Sequence, residues 1–107
     1  MFVRLVEINA KTGKGIELAR LINDQALPIL KNQPGFLDEM VLFSPDNPDR
    51  GVALSFWKAR EDAEKYNREI FPKVNELMRA ALEGALQVRT FDVVSSTAHK
   101  IIPTKAA

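Results

Sequence analysis

The chain has 107 residues, 46% of them hydrophobic, with 15 Lys and Arg against 14 Asp and Glu and no cysteine. That length and apolar content predict one domain with a core that needs no staples; the balanced charge excludes the basic field that nucleic acid or an anionic membrane requires, and the lack of cysteine excludes disulfides, thiolate nucleophiles and thiolate metal sites. The first apolar stretch, Met1 to Glu7, is interrupted by charges unlike a signal peptide, and no apolar run approaches the ~18 residues of a membrane span, so a soluble, cytoplasmic protein is expected.

Phe2 to Ile8 is rich in β-branched and aromatic residues and ends in the turn formers Asn9 to Gly13, which predicts a first strand. From about Lys14 to Lys31, Ile16, Ala19, Ile22, Ala26 and Ile29 recur at helical spacing, with Thr12 as the expected cap. Pro28 lacks an N–H and clashes with the preceding turn, so this helix should kink or tighten near Asp24 to Leu27. Phe36 to Ser44 and Val52 to Trp57 read as a hairpin of antiparallel strands around the turn-rich loop Pro45 to Gly51, because nothing between them can supply a crossover helix. Ala59 to about Gly84 is helical, with an apolar stripe through Ala63, Tyr66, Ile70, Val74, Met78 and Leu82. Pro72 should divide it, sitting in the first turn of the second piece. Leu86 to Val94 reads as the fourth strand, and residues 96–107 as an extended tail after a domain spanning 1–95.

This order, βαββαβ, predicts an α+β, ferredoxin-like fold: a four-stranded antiparallel sheet with two helices on one face. Both sheet faces carry apolar side chains. In the third strand Val52, Leu54 and Phe56 alternate with Ala53, Ser55 and Trp57; in the second, Phe36, Met40 and Leu42 alternate with Leu37, Val41 and Phe43. Two helices cover one face only, so the other is expected to meet a second copy in a twofold homodimer with the sheets face to face.

Gln33-Pro34-Gly35-Phe36 enters the second strand, and Trp57-Lys58-Ala59-Arg60-Glu61-Asp62-Ala63 leaves the third. With the βαββαβ order, these make residues 2 to 94 resemble the antibiotic biosynthesis monooxygenase (ABM) superfamily. The resemblance implies a dimeric α/β barrel. Members include oxygenases that act on quinols and anthrones without metal or flavin, haem-degrading enzymes, and many proteins of no known activity. Trp57 matches the strand-end Trp of the family. Nine residues later, where ABM proteins often carry His, this chain has Tyr66. Where haem degraders resembling this fold use a helical His, it reads Val74-Asn75-Glu76-Leu77, and Asn9 lies too close to a turn to match their first-strand Asn. Haem degradation is therefore disfavoured, and no cofactor is expected.

Trp57 is either a stacking surface for a planar substrate or plain core. Tyr66 either offers its phenol to a ligand oxygen or packs in the core with its hydroxyl reaching solvent. Asn67 can orient a substrate carbonyl, yet it lies about 100° around the helix from Tyr66 and solvation is the simpler expectation. His99, the sole histidine, should be exposed in the tail. One histidine makes no metal site, and no carboxylate cluster has ligand spacing, so no metal is expected. The charged strand residues Arg4, Glu7, Asp38, Glu39, Arg89 and Asp92 read as solvated edge or rim positions, with pairing across a dimer or lining of a cavity as the other role open to them.

The resemblance implies a cofactor-independent monooxygenase acting on a small electron-rich aromatic of the quinol or anthrone type, with Trp57 and Tyr66 catalytic and Trp57, Tyr66 and Asn67 binding substrate. The alternative is a non-catalytic small-ligand-binding or stress-related dimer of the same fold. No strong general base is visible in the sequence.

Overall fold

The computed structural model describes residues 1–102; the end of the tail lies outside them. In chain order the elements are β1 (Phe2–Asn9), α1 (Gly15–Leu21), a π-helical turn (Ile22–Ala26), α2 (Leu27–Lys31), β2 (Phe36–Phe43), β3 (Arg50–Trp57), α3 (Arg60–Glu69), α4 (Phe71–Met78), a 3-10 turn (Arg79–Ala81) and β4 (Gln87–Asp92). The strands form one antiparallel sheet in the order β2-β3-β1-β4, the ferredoxin-like arrangement. Among the described residues no helix is long and apolar enough to cross a membrane.

Two features of the first helical segment differ from expectation. Thr12 does not cap it. Instead Asp49, from the β2–β3 loop, accepts the Gly15 N–H at 2.9 Å through one carboxylate oxygen and the Gly13 N–H at 3.0 Å through the other. A carboxylate fixed on a hairpin supplies the acceptor that an N-terminal helix end needs. Gly15 also lies too close to the Pro48 carbonyl to admit a side chain. The segment then widens rather than tightens before Pro28: the Leu27 N–H reaches back to the Ile22 carbonyl, a π turn. Widening steps the hydrogen-bond register outward before the proline, which then occupies the first turn of α2. Pro72 sits likewise in the first turn of α4 and separates it from α3.

The turn into β2 follows its sequence. Gly35 has φ +79° after Pro34, and the Phe36 N–H donates to the Gln33 carbonyl at 3.2 Å, as a type II turn requires. A β-bulge follows between Phe36 and Asp38. Phe36 therefore pairs with Trp57 on the helix side, while Asp38, Met40 and Leu42 pair with Phe56, Leu54 and Val52 on the other. Simple alternation, which put Phe36 with Met40 and Leu42, fails because an extra residue in one strand reverses the parity beyond it.

The core lies between the sheet and the helices, with Ile8, Leu18, Ile22, Leu30, Trp57 and Val74 among its buried residues. The helices pack on β1, β2 and β3, and β4 stays exposed along its whole length. On the opposite sheet face Met40, Leu42 and Phe91 are 40%, 50% and 49% exposed. The described part of the tail turns back over one end of this face, where Ser96 and Ile101 exchange backbone hydrogen bonds of 2.9 and 2.7 Å. His99 is thus not free in solvent: its side chain is 18% exposed, its ring centroid lies 4.8 Å from that of Phe56, and Nε2 is 3.3 Å from the Asp38 carboxylate. Sequence position alone suggested exposure; a short turn ending on an aromatic and a carboxylate provides a seat.

The Asp49 cap yields a direct expectation. Asp49→Ala should lower the unfolding free energy by about 1–2 kcal/mol in urea titration, whereas Thr12→Ala should change it by only a few tenths.

Candidate active site

In β1 the side chains of Phe2, Arg4, Val6 and Ile8 point toward the helices, because alternate residues of a strand share one face. Arg4 is therefore carried into the core, where it is 3% exposed. Long cationic side chains seldom occupy such places without a carboxylate. Among the described residues Arg4 makes no ion pair. Its partners are neutral. Nε and one terminal nitrogen donate to Asn67 Oδ1 at 3.1 and 2.8 Å, and the guanidinium carbon lies 3.9 Å from the Phe71 ring centroid and 5.3 Å from that of Tyr66. Burial lowers its pKa to about 10, against a smaller upward pull from Tyr66, so it remains a cation at neutral pH.

Tyr66 and Asn67 reach Arg4 from adjacent positions of α3. Their roughly 100° separation is what allows a ring to lie over the guanidinium while an amide grips its edge. Tyr66 is 3% exposed and its ring centroid is 5.1 Å from that of Trp57. Burial, then the nearby Glu39 charge, raises its phenol to about 12 against the pull of Arg4, so it acts as a hydrogen-bond donor rather than a phenolate. Trp57 is fully buried: its indole N–H donates to Ser55 Oγ at 2.9 Å and Phe36 meets its ring edge-on at 5.7 Å. It supports Tyr66 from behind.

One cavity joins these groups. Arg4, Glu39, Ser55 and Tyr66 line its polar part, and Ile22, Val74 and others its apolar walls; Trp57 and Asn67 do not reach it. Measured with a water-sized sphere it holds about 50 Å³, room for a few waters. On the other flank of Arg4 a larger cleft of about 330 Å³ between α3 and β4 is bordered by Phe2, Asn67, Val88 and Thr90. The guanidinium partitions the two spaces. Among the described residues no three His, Cys, Asp or Glu side chains gather as a metal site would require.

The expected set Trp57, Tyr66 and Asn67 is thus brought together, but in different places: Tyr66 at the cavity, Trp57 behind it, Asn67 behind Arg4. Sequence reasoning left lining of a cavity as the lesser of the roles open to Arg4 and Glu39, and did not single out Ser55. The available signal was parity: Arg4 shares its face with Phe2, Val6 and Ile8, and Ser55 with Ala53 and Trp57. Glu39 was hidden by the bulge. It is half-buried rather than solvated, and its carboxyl is pushed up to about 7 by burial first and Asp38 second, with Lys31 opposing.

That shift sets a pH dependence. A folded pKa of about 7 against an ordinary 4.5 means the folded state holds this proton more tightly, so the associated stability is present below 4.5 and lost as pH rises through about 7. Glu39→Gln removes the burdened charge. Its melting temperature relative to the parent protein should rise between about pH 4.5 and 7 and level off above, as thermal denaturation across that range will report.

The antibiotic biosynthesis monooxygenase family's sequence pattern matches residues 1–69, a span that contains Arg4, Glu39, Ser55, Trp57, Tyr66 and Asn67. No curated protein sequence matches the chain significantly. Solved structures share its fold. SnoaB from Streptomyces nogalater, a cofactor-independent oxygenase, superposes with a TM-score of 0.75 at 14% identity, covering 90% of this chain and 95% of that one. A provisionally named antibiotic biosynthesis monooxygenase from Nitrosomonas europaea gives 0.72 at 19%, covering 89% and 100%, and a protein of unknown function from the same organism gives 0.73 at 15%, covering 90% and 91%. With well over half its length on the family pattern and the ferredoxin-like frame around its cavity, the chain belongs to the antibiotic biosynthesis monooxygenase family.

Proposed function

We propose that this protein is a cofactor-independent monooxygenase acting on a small electron-rich aromatic of the quinol or anthrone type. The observation that carries the reading is the buried Arg4 guanidinium, without an ion pair among the described residues, near the Tyr66 phenol on the wall of an otherwise largely apolar cavity. Such a substrate becomes reactive toward oxygen when it loses a proton and holds the charge on oxygen and ring carbon. A cation and a hydrogen-bond donor in a largely apolar site favour that ionised form over the neutral one, which is what catalysis by differential binding demands. For an anthrone the overall change is a ring CH2 plus O2 giving a ring carbonyl plus water. Oxygen supplies the carbonyl atom, and the two hydrogens leave in the water.

The roles follow from position. Tyr66 donates a hydrogen bond to the substrate oxygen and Arg4 balances its charge. Asn67 orients Arg4, and Trp57 holds the Tyr66 ring in place. Family membership and the oxygenase description of SnoaB support the reading. A planar ring needs more space than the cavity offers, so binding one requires part of its wall to yield; that wall includes Ile22, Ala26 and Leu30, two of them carried by the π turn. That tightness favours a second reading, a non-catalytic binding protein for a smaller ligand.

We also propose that the open sheet face, with Met40, Leu42 and Phe91 exposed, is covered by a second copy in a twofold dimer.

Oxygen uptake over a panel of anthrones and naphthoquinols separates the two functional readings. The monooxygenase reading expects saturable uptake above the spontaneous rate, with kcat falling about 100-fold in Tyr66→Phe, the scale for loss of one oxyanion donor. Background rates throughout, together with saturable binding of small phenols, would establish the binding protein instead. For the dimer, light scattering should give twice the chain mass, and Leu42→Glu with Phe91→Glu should give the single chain.

A further inference from the structure

The helix-facing side of the sheet is apolar except along one rung and at Asp92, the exposed β4 partner of Phe2. Glu39 on β2, Ser55 on β3, Arg4 on β1 and Thr90 on β4 are successive cross-strand partners. The next rung toward the Trp57 end includes Phe36, Trp57 and Phe2, and the next in the other direction Val41, Ala53, Val6 and Val88. A polar line thus crosses the sheet at one level, ending on the exposed β4, and its first three members line the same cavity as Tyr66.

The two charged members do not meet. Ser55 lies between them, so their backbones are two strand spacings apart, roughly 10 Å, and no ion pair joins them among the described residues. Ser55 Oγ already accepts the Trp57 indole N–H. The rung therefore presents a carboxyl on one side of a small polar space and an unneutralised guanidinium, 97% buried by its 3% exposure, on the other. A neutral structural role for Arg4 would be served better by an apolar side chain of similar size.

We propose that this rung is a deprotonation site for a small phenol or enol, Glu39 accepting the hydroxyl proton and Arg4 holding the oxyanion that remains. The inference rests on the proposed function for the aromatic character of its substrate, and names for that site the base that the sequence did not reveal. The step balances: the substrate O–H bond breaks, the proton goes to a Glu39 carboxylate oxygen, the electron pair stays on the substrate oxygen, and nothing is oxidised or reduced. The site's net charge is unchanged.

The surroundings of Glu39 suit a base working near neutrality. Burial first and Asp38 on its own strand second disfavour its charge, and Lys31 at the end of α2 favours it. Ser55 from β3 and Tyr66 from α3 face the same cavity, and Arg4 stands one strand beyond Ser55. His99 is paired with Asp38 on the opposite sheet face.

The test uses the full-length protein without oxygen and 3-nitrophenol, whose phenolate absorbs visible light, slightly above the pH at which Glu39 titrates. Wild type should bind the probe as phenolate, lowering its apparent pKa by about 1 unit or more, as an opposite charge close by does. The binding enthalpy should be independent of the buffer, because the proton stays on Glu39. Glu39→Gln should retain the phenolate band but release the proton, making the enthalpy follow the buffer's ionisation heat. Arg4→Lys should keep the pKa shift and Arg4→Gln should lose it, with near-ultraviolet circular dichroism confirming that each variant is folded. Binding as neutral phenol in wild type, failure to bind, a shift unchanged in Arg4→Gln, or buffer-dependent heat in wild type would each overturn the proposal. A bound phenolate with no later oxygen uptake from any substrate would leave it standing and remove the monooxygenase reading alone; saturable uptake without phenolate binding would do the reverse.

Discussion

A guanidinium enclosed under two helices, with no carboxylate paired to it among the described residues, is the constraint around which this domain is arranged. Taking an ion out of water costs several kcal/mol even after relaxation. The Asn67 bonds, each about 1.5–3 kcal/mol as charged hydrogen bonds, and the Phe71 ring, about 1–2 kcal/mol as a desolvated cation–π contact, offset much of that without cancelling the charge. An Asp or Glu in place of Asn67 would have neutralised Arg4. The amide holds the cation while leaving its field in the cavity, where it acts on Tyr66.

The helical breaks serve the same arrangement. Pro72, at the start of α4, and the short interruption at Ile70 let Phe71 turn onto the Arg4 guanidinium. A continuous helix would have carried the ring onward at the α-helical angle, around 100° per residue. In the first helical segment, the π turn before Pro28 places Ile22 and Ala26 on the cavity wall. Such turns are sparingly used and concentrate at functional places.

The bulge in β2 decides which acidic residue enters the site. Phe36 must face the helices to meet Trp57. Strict alternation from there would turn Asp38 inward and Glu39 outward; the extra residue reverses this, so Glu39 reaches the cavity and Asp38 takes the opposite face, where His99 binds it. The longer side chain is the one given the longer reach. The two sheet faces thereby acquire separate tasks, a polar rung within the core on one and a largely apolar surface, closed at one end by the tail, on the other.

Much of the fold was written in the chain's local chemistry. Period-two runs gave four strands, the turn formers of the Pro45–Gly51 loop required a hairpin, and Gln33-Pro34-Gly35-Phe36 specified a turn that only glycine can complete; each depends on neighbours a few residues away, which sequence displays. The positions of Trp57 at a strand end and of Tyr66 and Asn67 on one helix were legible for the same reason. What sequence could not display was decided by contacts between distant segments. Asp49 rather than Thr12 caps α1 because the hairpin loop lies against that helix end. His99 is sheltered because the tail returns to the sheet. Arg4, Ser55 and Glu39, widely spaced along the chain, become one rung only through strand register and a one-residue bulge, and burial then lowers the pKa of Arg4 and raises that of Glu39. Local propensity sets the elements, but the depth and electrostatics of a site arise from packing, whose partners no single stretch of sequence contains.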